Sequence, residues 1–141
     1  MWLSSIFYPL SSLSGLGRLT SMPFEITASA QFSASHQLRL YDGSLEPLHG
    51  HNWKVRVSVG AENLDTIGVV MDFHELERLL ADIIKPLHNA HLNEVEELGG
   101  MNPSTENVAL HIARSLKLPS EVRLIRTEVW ETEQNSAVYR P

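Results

Sequence analysis

Residues 24–36 read FEITASAQFSASH, and residues 49–61 read HGHNWKVRVSVGA. In the first stretch the apolar residues and His36 occupy even-numbered positions, and the odd-numbered positions are polar. In the second stretch Trp53 and the valines occupy odd-numbered positions, alternating with a polar series that starts at Asn52. A period of two residues is typical of a β-strand with one buried face. The two stretches therefore predict neighbouring strands joined by a loop.

Two helices are predicted after these strands. The first begins at an N-cap, Asp72, and shows apolar residues at steps of three and four until Pro86 ends it. The second begins with Pro103 at its first helical position, and Pro119 closes it. The segment 88–100 between the helices lacks such a period and is predicted to be a loop.

Two further strands are predicted over 121–131 and 137–140, joined by turn residues at 134–136. The element order is then β-β-α-α-β-β, with a hairpin on each side of the helices. This order predicts an α+β fold in which a four-stranded antiparallel sheet has two helices on one face.

Composition and charge exclude several function classes. The length of 141 residues suits a single domain, and a formal charge of −6 without a basic run argues against a nucleic-acid partner. The absence of cysteine excludes disulfides, thiolate zinc sites and cysteine nucleophiles.

Residues 1–22 lack a basic start, and serines and a proline interrupt their apolar run. We interpret 1–22 as an extension or a misassigned start, and 23–141 as a cytoplasmic domain without a membrane partner.

Three histidines share the parity of the predicted apolar faces. His49 and His51 project from one face of the second strand, and His36 ends the apolar series of the first. Imidazoles on an apolar face need partners, and three histidines around one ion form the common catalytic zinc arrangement. The sequence favours a metal site, and three separate histidines satisfied by backbone groups are the alternative.

Several short motifs, in this order along the chain, resemble the 6-pyruvoyltetrahydropterin synthase and 6-carboxytetrahydropterin synthase family. The resemblance spans about residues 24–141. The matching segments are FSASH at 32–36, HGHN at 49–52, GVVMDF at 68–73, LN at 92–93, NPSTE at 102–106, VWET at 129–132 and VYR at 138–140.

The resemblance implies a T-fold (tunnelling fold) whose subunits close into a trimeric barrel, with two barrels stacked as a homo-hexamer. It also implies a pterin substrate, 7,8-dihydroneopterin triphosphate, and a Zn²⁺ cofactor. The implied zinc ligands are His36, His49 and His51. The implied pterin-binding residues are Glu131, Thr105 and Glu106. The resemblance also implies that Glu131 is a catalytic residue.

The chain departs from the family pattern at the proton-transfer base. Leu45 stands where classical members have a cysteine, and Glu46 follows it. This looks like a subgroup in which glutamate replaces the cysteine. That subgroup cleaves the side chain of the substrate, 7,8-dihydroneopterin triphosphate, to give 6-hydroxymethyl-7,8-dihydropterin, a folate precursor. The alternative is that Glu46 is a solvated loop residue.

A second departure lies in the mid-loop, where the family has Leu-Asp-His and this chain reads LHNAH at 87–91. His88, or alternatively His91, could supply the missing imidazole, and either could equally be a surface histidine. We therefore expect a zinc-dependent lyase forming 6-hydroxymethyl-7,8-dihydropterin. The alternatives are 6-carboxytetrahydropterin synthesis for the queuosine (deazapurine) pathway, and a non-catalytic pterin-binding protein.

Overall fold

The computed structural model describes residues 22–141, so the interpretation of the preceding extension lies outside the described residues. No helix in this range is both long and apolar enough to cross a membrane. The main elements are β1 (Phe24–His36), β2 (His49–Ala61), α1 (Phe73–Ile84), β3 (Ala90–His91), α2 (Thr105–Ser115), β4 (Arg123–Trp130) and β5 (Ser136–Tyr139). Two single-turn 3₁₀ helices, Leu92–Glu94 and Glu96–Leu98, follow β3.

The sheet has five strands in the order β3-β1-β2-β4-β5. The four predicted strands are confirmed, and all of their pairings are antiparallel. The fifth strand, β3, lies in the segment predicted to be a loop and pairs with the end of β1 in parallel. Asn89, in the left-handed region at φ 58°, turns the chain there and donates its backbone N–H to the Ser33 carbonyl at 2.7 Å. A two-residue strand is too short to leave a periodic signal in the sequence.

The pairing of β1 with β2 is continuous over thirteen residue pairs, from Phe24 opposite Ala61 to His36 opposite His49. Trp53 and Phe32 face each other in this ladder, and their rings stack with centroids 5.8 Å apart. The Trp53 indole N–H also donates to the Ala34 carbonyl at 3.2 Å. Both contacts stabilise this one register, because a slip of one residue would turn each side chain to the other face.

Both helices pack on the same face of the sheet and share one hydrophobic core with it. Leu76, Leu80 and Ile84 of α1 are buried, as are Val108 and Ile112 of α2. These side chains belong to the same core cluster as the apolar residues of β1, β2 and β4. The other face of the sheet is left with the polar series of the strands.

The helices are shorter than predicted: α1 ends before Pro86, and α2 begins after Pro103 and ends at Ser115, four residues before Pro119. The Asp72 side chain caps α1 by accepting from the His74 N–H at 2.8 Å, as predicted, and α1 ends at Ile84, two residues before Pro86. Ser104 caps α2 by accepting from the Asn107 N–H, so Pro103 precedes the cap and is not the first helical residue. A side chain that competes as a cap can move a helix start beyond a proline.

The core predicts a large stability loss for Leu80→Ala, because Leu80 is fully buried between α1 and the sheet. We expect a loss of about 2–5 kcal/mol in the free energy of unfolding, measured by denaturant titration at fixed protein concentration. The exposed neighbour Glu77 provides the control, and Glu77→Ala should change stability by less than about 0.5 kcal/mol. Equal losses for the two variants would contradict this description of the core.

Candidate metal centre

Three histidines converge where β1 ends and β2 begins. The register places His36 directly opposite His49, and His51 lies two residues further along the same face of β2. The ring centroids are 4.6 Å apart for His36 and His49, 5.2 Å for His36 and His51, and 4.8 Å for His49 and His51. The structure therefore brings together all three predicted metal-ligating histidines.

Backbone carbonyls orient two of these rings. The Nδ1 atom of His36 lies 2.8 Å from the Pro103 carbonyl oxygen, and Nδ1 of His49 lies 2.8 Å from that of Pro47. A carbonyl oxygen only accepts, so each Nδ1 carries the hydrogen, and the Nε2 atom of each neutral ring presents a bare lone pair. Such carbonyl contacts are the usual outer support of metal-ligating histidines.

The Nε2 atoms face one another and a carboxylate. His36 Nε2 lies 3.1 Å from His49 Nε2, and the Oε1 atom of Glu131 lies 3.1 Å from His36 Nε2 and 2.8 Å from His51 Nε2. The buried Nε2 of His51 nevertheless has no hydrogen bond of normal geometry. Electron-rich atoms gathered in this way repel one another unless a cation lies between them.

One ligand atom from each of the four residues lies within 4.8 Å of the others, so the set could hold a single ion. Three imidazole nitrogens and one carboxylate oxygen are a donor set that suits a divalent transition metal such as zinc. The residues present therefore fit the ion that the sequence predicts.

Electrostatics hold two of these residues in the protonation states that metal binding requires. Burial lowers the pKa of His51, and the nearby Glu131 carboxylate offsets this only in part. Burial alone would raise the pKa of Glu131, but the hydrogen bond from Thr105 and the attraction of the His36 and His51 rings when they are protonated outweigh it and leave that pKa below its ordinary value. Near neutral pH the imidazole is then neutral and the carboxylate ionised.

Two further residues of the predicted site lie at the cluster. The Thr105 hydroxyl donates to Glu131 Oε2 at 2.9 Å, which leaves Oε1 directed at the histidines. Glu46 Oε1 lies 3.9 Å from His49 Nε2 and accepts a hydrogen bond from the Leu38 N–H at 2.9 Å. The loop between β1 and β2 thus places a carboxylate beside the candidate metal ligands.

Three other candidates are not brought to the cluster within the single chain. Glu106 is exposed on the first turn of α2. His88 is exposed at the sheet edge, where its Nδ1 accepts from the Ser33 N–H at 3.2 Å. The Nδ1 atom of His91 lies 3.4 Å from the Ser35 hydroxyl oxygen. The Ser35 side chain belongs to the polar series of β1, so His91 lies next to the face of β1 opposite to His36. The contact of His88 is with the backbone N–H at the edge of β1.

Two asparagines support the site and were not identified as functional from the sequence. Asn93 binds both backbone groups of Gln37, at 2.8 Å and 2.7 Å, and Asn102 binds both backbone groups of Arg39, at 2.8 Å and 3.0 Å. They hold the chain that leaves His36 and leads to Glu46. Both lie within motifs noted for the family resemblance, which was the only sequence signal for them.

The family model described as 6-pyruvoyl tetrahydropterin synthase matches residues 25–141. The chain belongs to this family. The resemblance inferred from the sequence is thereby confirmed, and with it the assignment to lyases that act on pterins.

Relatives with different named activities are similar to the chain. It is 35% identical over 112 residues to the dihydroneopterin monophosphate aldolase of Pyrococcus furiosus, covering 78% of this chain and 91% of the relative. It is also 35% identical over 112 residues to the 6-carboxy-5,6,7,8-tetrahydropterin synthase of Synechocystis, covering 77% and 86%. The human 6-pyruvoyl tetrahydrobiopterin synthase is 33% identical over 132 residues, covering 82% and 90%.

Solved structures confirm the T-fold. The 6-pyruvoyl tetrahydropterin synthase of Caenorhabditis elegans matches with a TM-score of 0.73 at 23% identity, covering 84% of this chain and 95% of that one.

The cluster predicts that His51→Ala lowers the affinity for a divalent metal by at least about tenfold, because one of four ligands is lost. Competition with a chromophoric chelator measures the affinity, and elemental analysis measures the bound metal. His74 is the matched control, since its side chain is 91% exposed on α1. Unchanged metal content in His51→Ala would contradict the assignment.

Proposed function

We propose that this protein is a zinc-dependent lyase that cleaves the side chain of phosphorylated 7,8-dihydroneopterin, the triphosphate or the monophosphate, to give 6-hydroxymethyl-7,8-dihydropterin. The observation that supports this most directly is the Glu46 carboxylate, 3.9 Å from a histidine of the candidate metal cluster in a chain without cysteine. The relative named as a dihydroneopterin monophosphate aldolase supports the same reaction class.

The bond cleavage is a retro-aldol reaction and needs one base. Zinc, when bound, supplies a Lewis acid that favours loss of a proton from a side-chain hydroxyl. Glu46 takes the proton of the second side-chain hydroxyl, and that carbon becomes an aldehyde as its bond to the first side-chain carbon breaks. The electron pair of the broken bond forms a double bond between the first side-chain carbon and C6, and the π pair of the C6–N5 double bond moves onto N5. Glu46 then returns its proton to the first side-chain carbon, which restores the C6–N5 double bond and completes the hydroxymethyl group, and the phosphorylated aldehyde fragment leaves. No oxidant or reductant is required.

The position of Glu46 suits this role. Its Oε1 accepts from the Leu38 N–H, and its side chain is 25% exposed, so the carboxylate is fixed but still reachable by a substrate. A Plasmodium vivax 6-pyruvoyltetrahydropterin synthase shares this fold at 18% identity, and the catalytic residue that alanine replaces in one of its variants is a glutamate. A catalytic glutamate is therefore compatible with the fold.

Glu131 is suited to bind the pterin. It lines a cavity of about 780 Å³ together with His51, Trp130 and Thr132, which is ample for a pterin ring. A carboxylate can accept two parallel N–H bonds from the pterin 2-amino group and ring nitrogen. When Glu131 binds the pterin, the three histidines remain to hold the ion, with one position open for substrate. We assign Thr105 to orient Glu131, whereas Glu106 makes no contact with the site within residues 22–141 of the single chain.

A second candidate is 6-carboxytetrahydropterin synthesis, because the Synechocystis enzyme of that name is as similar in identity as the aldolase. That reaction redistributes protons at more positions, and His88 lies away from the cluster within one chain. The smaller number of proton transfers and the position of His88 favour the cleavage reaction, which needs only one base and the metal. A non-catalytic pterin-binding protein is the third candidate.

We also propose the homo-hexamer that the family resemblance implies, a dimer of trimers. Exposed apolar side chains on the loop beside the cluster support association: Leu40, Tyr41, Leu45 and Leu48. Light scattering coupled to size exclusion tests the oligomeric state, and a monomer under all conditions would contradict this proposal.

Product analysis distinguishes the three candidate functions. The zinc-loaded protein is incubated with 7,8-dihydroneopterin triphosphate and, separately, with the monophosphate, and products are identified by mass spectrometry. Release of 6-hydroxymethyl-7,8-dihydropterin supports the proposal. Formation of 6-carboxytetrahydropterin with acetaldehyde supports the second candidate, and tight binding without any product supports the third.

The assignment of the base predicts that Glu46→Gln lowers kcat by at least about 100-fold while the metal content is unchanged. The amide keeps the size of the side chain but cannot take up the proton. Glu62→Gln, at an exposed position just after β2, is the control and should retain full turnover. Turnover of Glu46→Gln at the wild-type rate would eliminate Glu46 as the base.

A further inference from the structure

Two basic side chains lie beside an aromatic ring on the polar face of β2. Lys54 and Arg56 alternate along the strand and therefore project from the same face. Lys54 Nζ lies 5.2 Å from the centroid of the Trp130 ring, and Arg56 Cζ also lies 5.2 Å from it. The indole attracts both cations and restricts their positions, but it carries no charge to neutralise them.

Neither cation has a carboxylate partner within residues 22–141. In the sheet register Lys54 lies between Gln31 and Trp130, and both of these are uncharged. Arg56 lies opposite Glu128, but the Glu128 oxygens lie 3.6 Å from Arg126 and 3.1 Å from the Ser136 hydroxyl. Two positive charges are thus left uncompensated on this face of an acidic protein.

Lys54 also lines the 780 Å³ cavity that contains His51 and Glu131. The cavity connects the candidate metal cluster with the polar face of the sheet. One more carboxylate, Glu133, lines it, but this residue is exposed and solvent screens its charge. An anionic group entering the cavity therefore meets Lys54 as well as the candidate metal ligands His51 and Glu131.

We propose that Lys54 binds the phosphate ester at the end of the substrate side chain, and that Arg56 binds the outer phosphates of a triphosphate. This inference rests on the proposed function, in which the cleaved bond lies at the metal cluster. The phosphate ester is attached only one carbon beyond that bond, so it must be bound inside the same cavity. Arg56 does not line the cavity, and its backbone lies about 7 Å further along the strand, so we assign it to the outer phosphates of a longer chain.

The decisive measurement is calorimetric binding of three ligands to metal-loaded Glu46→Gln protein, in which the proposed cleavage is slowed and into which the further substitutions are introduced: 7,8-dihydroneopterin, its monophosphate and its triphosphate. We expect the Glu46→Gln protein to bind the monophosphate at least about tenfold more tightly than dihydroneopterin, as a charge-assisted contact provides. Lys54→Gln should abolish this difference and leave the affinity for dihydroneopterin unchanged. Arg56→Gln should weaken binding of the triphosphate by about tenfold and not that of the monophosphate.

Lys117→Gln is the control, because it removes the same charge at an exposed position after α2. It should bind all three ligands like the Glu46→Gln protein without a further substitution. Equal weakening of all three ligands by Lys54→Gln, or no weakening of any, would overturn the assignment of Lys54. Equal weakening of the monophosphate and the triphosphate by Arg56→Gln would overturn the assignment of Arg56.

Inorganic tripolyphosphate separates a failure of this inference from a failure of the proposed function. If dihydroneopterin does not bind but tripolyphosphate binds in a manner that Lys54→Gln abolishes, the phosphate site stands and the pterin function falls. If dihydroneopterin binds and phosphorylation adds no affinity, the pterin function stands and the phosphate site falls.

Discussion

The antiparallel ladder between β1 and β2 is the constraint on which the candidate site depends. It joins thirteen residue pairs and ends where His36 meets His49. A shift of one residue would carry one histidine to the opposite face and separate the Nε2 atoms that now lie 3.1 Å apart. The buried stack of Phe32 on Trp53 lies four residues from that end, so packing in the core directly fixes the geometry of the imidazoles.

The remaining parts of the site come from segments far away in the chain. Glu131 follows β4, and the α2 start provides both Thr105, which orients Glu131, and the Pro103 carbonyl, which orients His36. The N-cap Ser104 is itself in an extended conformation, so Pro103 lies outside α2 and its carbonyl can accept from His36. Docking of α2 on β4 therefore completes a set of ligands that β1 and β2 only begin. Metal binding to such a set stabilises the fold as well as the site.

The two faces of the sheet have different roles in the structure. The helical face buries the apolar series and provides stability, whereas the opposite face keeps its polar series and includes Lys54 and Arg56 around Trp130. The cavity beside the cluster reaches both His51 and Lys54, so it joins a region rich in metal ligands to a region of positive charge. This local charge pattern matters more for an anionic ligand than the overall charge of −6.

The sequence alone was sufficient for the four antiparallel strands, the two helices and the shared orientation of His36, His49 and His51. Each of these follows from the spacing of apolar residues, which recur with a period of two in a strand and of 3.6 in a helix. This spacing can be read from a short stretch of sequence. The approach of Glu131 to His36 across 95 positions, the parallel strand β3 and the placement of His88 beside Ser33 were decided by the tertiary structure. Distances between remote segments depend on how helices and strands pack together, and no local periodicity contains that information.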